Sequence, residues 1–103
     1  MAQFDVYAQP LDELRSTHPY VVQVQSDFLK RPIAVMAVAL AYPQTRADAT
    51  LLNPLVEVAG EAMLLETLAI ASYEPGELRR PLANLSRDAQ AIWNALDYAL
   101  HGY

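Results

Sequence analysis

Residues 86–102 read SRDAQAIWNALDYALHG, and this stretch decides the fold class because its apolar residues recur at spacings of three and four. The apolar stripe comprises Ala89, Ile92, Trp93, Leu96, Ala99 and Leu100. The spacing predicts an amphipathic helix from about Arg87 to Leu100, with Ser86 as its N-terminal cap. Gly102 follows the last apolar residue and is placed to end the helix.

The segments before this helix carry the short alternating or continuous apolar patterns that are typical of strands. The predicted strands are Phe4–Tyr7, Tyr20–Gln25, Ile33–Leu40, Leu55–Val58 and Met63–Thr67. The first two are separated by a loop over 11–19, and a second loop over 43–50 follows the third. Gly60 can adopt the positive φ of a tight turn, so the last two strands are predicted to form a hairpin.

The order of these elements predicts the architecture. We expect one face of the Tyr20–Gln25 strand to be buried and the Ile33–Leu40 run to be a buried central strand. Short strands followed by one helix predict an α+β fold. The expected form is a small curled antiparallel sheet, a partial SH3-like barrel, with a C-terminal amphipathic helix.

Length, composition and charge exclude several classes of protein. A chain of 103 residues is expected to form one domain, 1–103, and its 53% hydrophobic and 18% charged residues exclude disorder as its main description. The net charge of −5 argues against nucleic acid as a direct partner, because phosphate contacts need an excess of Lys and Arg. The first residues have neither the basic nor the apolar region expected of a signal peptide, and the apolar run over 33–42 is too short to span a bilayer. A soluble, cytoplasmic protein without membrane contact is expected.

Residues that could support catalysis or bind a cofactor are few. Cysteine is absent, and the three glycines cannot build a phosphate-binding loop. His18 and His101 lack a second metal ligand at a suitable spacing, so we expect them to be exposed or terminal and predict no metal. The serines are read as caps and turns. These observations predict a protein without a cofactor that is not an enzyme and acts by contacting other proteins.

Several stretches, taken in order, resemble the CcdB toxin family. They are Phe4-Asp5-Val6-Tyr7, Val22-Gln23-Val24-Gln25-Ser26-Asp27, Pro54-Leu55-Val56-Glu57-Val58-Ala59-Gly60-Glu61 and the terminal helix that opens with Leu85-Ser86, contains Ile92 and Asn94-Ala95, and ends on Gly102. The resemblance implies a homodimeric toxin of a type II toxin–antitoxin system, of the kind that maintains plasmids. Such a toxin poisons DNA gyrase by binding its A subunit while the enzyme holds cleaved DNA, and a CcdA-like antitoxin neutralises it.

The resemblance also implies which residues face gyrase. They are Asp97, Leu100, His101, Gly102 and Tyr103 at the end of the chain, together with Phe28 and Leu29 after Gln-Ser-Asp. His101 stands where the family has a tryptophan that stacks on a gyrase arginine, Tyr103 replaces an isoleucine, and Asp97 replaces an asparagine. The smaller histidine ring is expected to stack more weakly on arginine than tryptophan does.

Two other functions remain open at the level of sequence. An endoribonuclease like the MazF and Kid toxins would need a cationic groove and an acid–base pair, for which Arg31, Arg79, Arg80 and His18 are available. Arg79-Arg80 and Lys30-Arg31 could form a basic patch for RNA or for an acidic peptide, but the pattern favours solvated surface charges. A diverged family member that binds partners without toxicity is the third possibility.

Overall fold

The computed structural model describes residues 2–30, 32–43 and 49–102. Within them the chain forms β1 (Asp5–Ala8), β2 (Tyr20–Gln23), β3 (Val35–Ala41), β4 (Leu55–Val58), β5 (Glu61–Tyr73), β6 (Ala83–Asn84) and α1 (Ala89–His101). Short 3₁₀ turns lie at Asp12–Leu14, Pro75–Glu77 and Ser86–Asp88. In this described part of the chain, no helix is long and apolar enough to cross a membrane. The predicted loop over 43–50 lies largely outside the described residues.

The strands form one antiparallel sheet in the order β4-β5-β3-β2-β1-β6, which curls into a nearly closed barrel. Val22 of β2 lies opposite Val6 of β1 on one side and Val38 of β3 on the other. The helix α1 follows the sheet in the chain and buries Ile92 and Ala95 in the same core as these strand residues. The predicted α+β architecture is confirmed.

The central strands are buried on both faces. Val22 and Val38 pack in the core that α1 covers, whereas Val21 packs in a second core on the opposite face with Tyr7 and Tyr73. The prediction that β2 buries one face was therefore incomplete, since Val21 and even Gln23 are buried on the other. The apolar run that was predicted as a strand from Ile33 begins only at Val35, and Ile33 is 93% exposed.

The hairpin between β4 and β5 closes through Ala59 and Gly60, whose φ angles are 51° and 84°. Two consecutive positive φ values are typical of a tight turn that matches the twist of a hairpin. The predicted hairpin and the positive φ of Gly60 are confirmed.

The strand β5 runs six residues beyond its predicted end at Thr67, to Tyr73. It passes a large bulge: Leu65 and Ile70 lie opposite Leu40 and Val38, so β5 carries three more residues than β3 across this step. Thr67 holds the bulge, because its N–H donates to Asn53 Oδ1 at 3.1 Å and its hydroxyl donates to the Leu52 carbonyl at 2.6 Å.

The ends of α1 confirm one of two predictions. Gly102 adopts a φ of 80° and its N–H donates to the Tyr98 carbonyl at 2.8 Å, as expected of a glycine that ends a helix. The prediction that Ser86 caps the helix was wrong, because Ser86 begins a 3₁₀ turn and α1 starts at Ala89 without a side-chain cap. The first turn is stabilised instead by its continuity with that 3₁₀ turn, where the N–H of Ala89 donates to the Ser86 carbonyl.

Candidate functional site

An apolar groove lies between the last turns of α1 and the outer half of β5. We call it the β5–α1 groove; its cavity has a volume of about 300 Å³ and is lined by Val24, Met36, Thr67, Leu68, Ile70, Leu96, Ala99 and Leu100. Leu68 lies in the β5 bulge, and Leu96, Ala99 and Leu100 belong to the last turns of α1. The groove therefore combines residues from four separate segments of the chain.

Several of the apolar side chains that line this groove are exposed to solvent. Leu100 is 77% exposed and Leu68 is 70% exposed, while Met36 and Ile70 are each exposed to a smaller degree. Single exposed apolar residues are common, but a contiguous set around a concave surface is typical of a protein contact site. The arrangement is suited to docking a partner through apolar contact.

The predicted chain-end residues that the structure describes lie on, or directly after, the last turns of α1, which border this groove. Leu100 lines the groove, and Asp97 and His101 are exposed on the same last turns of α1. Gly102 turns the chain away from the helix axis. Tyr103 lies outside the described residues.

Phe28 and Leu29 lie elsewhere, in the loop that joins β2 to β3. Phe28 is 89% exposed, and Leu29 lines a separate, more polar cavity of about 250 Å³. The two cavities have no lining residue in common. Within one protomer, the structure therefore places the predicted gyrase-facing residues in two clusters, the end of α1 and the β2–β3 loop.

Comparison with protein families gives a match over nearly the whole chain. The family model described as CcdB protein matches residues 3–102. The chain belongs to the CcdB family. It is thus a CcdB-like toxin of the toxin–antitoxin class, as the resemblance in its sequence had indicated. A search of curated proteins found no match.

Some residues that line the groove were not predicted from the sequence. Met36, Leu68 and Ile70 line the β5–α1 groove, yet none was predicted as a site residue. A signal existed for two of them, since Leu68 and Ile70 alternate with Ala69 and Ala71 just beyond the predicted strand end. The strand pattern continues there, and extending it would have placed both side chains on one face of β5.

The expectation that His18 is exposed was wrong. Its side chain is largely buried, with Nε2 2.9 Å from Glu66 Oε2 and Nδ1 2.8 Å from Thr17 Oγ1. The pair joins the 11–19 loop to the β5 bulge, 48 residues away in sequence. Each ring nitrogen of His18 has a hydrogen-bond partner, which suits a structural role.

The arginines of the ribonuclease alternative are not gathered around His18. Arg79 donates from Nε to the Gly76 carbonyl at 2.7 Å and lines a shallow cavity with Arg15, whereas His18 lines a different one. Arg80 is exposed on a turn with a φ of 55°, and Arg31 lies outside the described residues. His18 and Glu66 line one cavity together, but neither Arg79 nor Arg80 lines it, so the described residues do not place the predicted cationic groups beside this pair.

Two buried tyrosines in the second core have perturbed acidity. Burial raises the pKa of Tyr7 to about 12, and the neighbouring Asp5 carboxylate adds to this effect. Burial also raises the pKa of Tyr73, with a further contribution from Glu77. In both residues the raised pKa favours the neutral phenol.

Proposed function

We propose that this protein is the toxin of a type II toxin–antitoxin system, that it binds and poisons DNA gyrase through the A subunit, and that a cognate antitoxin neutralises it. The observation that carries the proposal is the match to the CcdB family over residues 3–102. It is supported by the exposed apolar end of α1, where Leu100 has no covering partner within the described chain. Gyrase acts in the cytoplasm, which is therefore the proposed location.

The proposed mechanism is inhibition by binding, without catalysis by the toxin. Leu100 and the residues that follow α1 supply one contact, and Phe28 and Leu29 supply a second from the β2–β3 loop. Apolar side chains this exposed gain free energy when a partner removes them from water. A toxin that binds gyrase better with cleaved DNA than without it shifts the enzyme toward the cleaved state.

We further propose that the protein is a homodimer in which the β5 side of the β5–α1 groove, with Leu68, packs against the second copy, while Leu100 stays exposed for gyrase. A symmetric dimer uses the same patch on both copies, so each copy covers Leu68 of the other. Since Leu100 lines the groove, the two α1 ends would lie close together. Gyrase would then meet a composite surface built from both chain ends.

A gyrase cleavage assay tests the proposal. The protein is incubated with gyrase, supercoiled DNA and ATP, and the DNA is then released with detergent and protease. Trapped cleavage complexes yield linear DNA. Phe28→Ser is expected to reduce the linear product, whereas Leu82→Ser, at an exposed apolar residue outside both clusters, serves as the matched control.

The chain end is tested separately by deleting Gly102 and Tyr103 and scoring toxicity on expression. Loss of toxicity is expected, and unchanged toxicity would remove the chain end from the mechanism. Absence of linear DNA with the intact protein contradicts gyrase poisoning. In that event, cleavage of a labelled RNA identifies a ribonuclease, and no activity on either substrate identifies a binding protein without toxicity.

The antitoxin is expected from a neighbouring reading frame, with a segment that is disordered when free and folds on the toxin. Mixing the two should increase helical circular dichroism beyond the sum of the separate spectra. It should also remove the linear DNA product in the gyrase assay. A neighbouring product that leaves both signals unchanged is not the neutralising partner.

A further inference from the structure

The segment over 26–30, which follows β2, carries Phe28 and Leu29 and lies over a cavity rather than a packed core. The cavity of about 250 Å³ is lined by Gln23, Gln25, Ser26, Asp27, Leu29, Lys30, Pro32 and Val35. Phe28 at the tip is 89% exposed. Because the tip has little packing beneath it, its orientation depends on how the base of the loop is held.

The base of the loop is closed by the side chain of Gln25. The main-chain pairing of β2 with β3 fades where the N–H groups of Val24 and Gln25 both donate to the Met36 carbonyl, at 3.0 and 3.3 Å. Beyond this point Gln25 Nε2 donates to the Ala34 carbonyl at 3.0 Å, and Gln25 Oε1 accepts from the Met36 N–H at 3.0 Å. An amide side chain offers the same donor and acceptor as a peptide group, so Gln25 takes the place of the next strand residue.

Further hydrogen bonds fix the first residues of the loop. Gln23 Nε2 donates to the Gln25 carbonyl at 3.2 Å, and the Gln3 N–H donates to Asp27 Oδ1 at 2.7 Å. The Phe28 N–H donates to Ser26 Oγ at 3.0 Å. These bonds anchor the ascending side of the loop, whereas Gln25 ties that side to the descending one.

We infer that Gln25 is a positioning residue for gyrase binding: its side-chain amide clamps the loop so that Phe28 and Leu29 are held in the orientation that docks. The inference rests on the proposed function for its binding readout. Holding a contact loop in its bound geometry raises affinity because less conformational entropy is lost on docking. Gln25 itself need not touch gyrase.

Gln25→Glu tests the clamp, because the substitution keeps the shape and makes the donor depend on pH. An ionised Glu still accepts from the Met36 N–H but cannot donate to the Ala34 carbonyl, whereas a protonated Glu can do both. Gyrase affinity of the variant should be roughly tenfold below wild type at pH 8 and approach it as the pH falls toward 5. Gln25→Ala should remain weak at both pH values.

The comparison is made as a ratio to wild type at each pH. All other side chains are the same in the two proteins, so pH effects common to both cancel in the ratio. Gln90→Glu adds the same charge on the polar face of α1, where Gln90 Nε2 bonds Asn94 Oδ1, and should show no recovery at low pH. Thermal unfolding at each pH ensures that only folded protein is compared.

Limited trypsin digestion tests the clamp without gyrase. Lys30 lies in the loop, and Gln25→Ala should speed cleavage after Lys30 severalfold while cleavage after Arg87 keeps its wild-type rate. Wild-type protein that fails to bind gyrase overturns the proposed function, and the digestion still decides whether Gln25 holds the loop. Wild-type protein that binds gyrase, with both Gln25 variants binding and cleaved as wild type, overturns the inference.

Discussion

The exposed position of Leu68 in the β5–α1 groove gives the proposed homodimer a quantitative test. Leu68→Ala removes three carbon atoms, which are worth about 0.8 kcal/mol each when fully buried. Because Leu68 is 70% exposed in the single chain, most of that surface remains for a partner to cover. Complete burial in the dimer makes the loss about 1.7 kcal/mol per copy.

Twofold symmetry doubles this loss, because each copy contributes one Leu68 to the interface. The total of about 3.4 kcal/mol corresponds to a dimer dissociation constant raised by roughly 300-fold. The isolated protomer should keep its stability within about 0.5 kcal/mol, since the side chain is mostly in water there. Dimer affinity and protomer stability therefore separate in this variant.

Sedimentation equilibrium over a dilution series measures the effect. Wild type is expected near twice the 11.4 kDa chain mass at micromolar concentration, and Leu68→Ala nearer to the single mass. Leu82→Ala is the matched control, because Leu82 is also exposed but does not line the groove. A wild-type protein of single mass, or equal dissociation constants for wild type and Leu68→Ala, refutes dimerisation through this groove.

Three further predictions concern stability, each measured by urea denaturation. Thr67→Val removes the hydroxyl that donates to the Leu52 carbonyl and should lower the free energy of unfolding by about 1–2 kcal/mol. Thr67→Ser keeps the hydroxyl and should retain most of the wild-type stability. Equal urea midpoints for Thr67→Val and wild type contradict this. Ala59→Asn should stabilise by roughly 0.5 kcal/mol, because Asn tolerates the φ of 51° that precedes Gly60 better than Ala does, and a lower midpoint argues against strain there. The pKa of Tyr7 lies near 12 in the folded protein and near 10 in the unfolded chain. As the pH rises from 10 to 12, the unfolded chain loses this proton while the folded protein keeps it, so the free energy of unfolding falls. Relative to Tyr7→Phe, wild type should lose roughly 2–3 kcal/mol across that window, and parallel pH profiles count against the shift.

The parts of the fold that the sequence predicted are those with local signals. Gly60 and Gly102 mark a tight turn and a helix end because both positions need positive φ. The course of β5 beyond Thr67 depends on bonds from Thr67 to the distant Leu52 and Asn53, which no local pattern encodes. The same holds for the pairing of His18 with a glutamate far along the chain.

The candidate site was predicted unevenly for a similar reason. Leu100 and Phe28 came from the family resemblance, and the structure finds both exposed. The partners of Leu100 in the groove come from β3 and β5, and only the folded sheet brings them to the helix end. The clamp at Gln25 was hidden because a glutamine in an alternating segment reads as an ordinary exposed strand residue.

The two outermost strands of the sheet, β4 and β6, have only four and two residues. Short edges offer little main-chain surface for the open-ended pairing of strands that leads to aggregation, and Glu57 adds a charge to one of them. A protein with an exposed apolar groove is at risk of polymerising through any long sheet edge that lies beside it. In this protein the groove presents apolar side chains for contact, whereas the short edge strands leave few main-chain groups open to pairing with another chain.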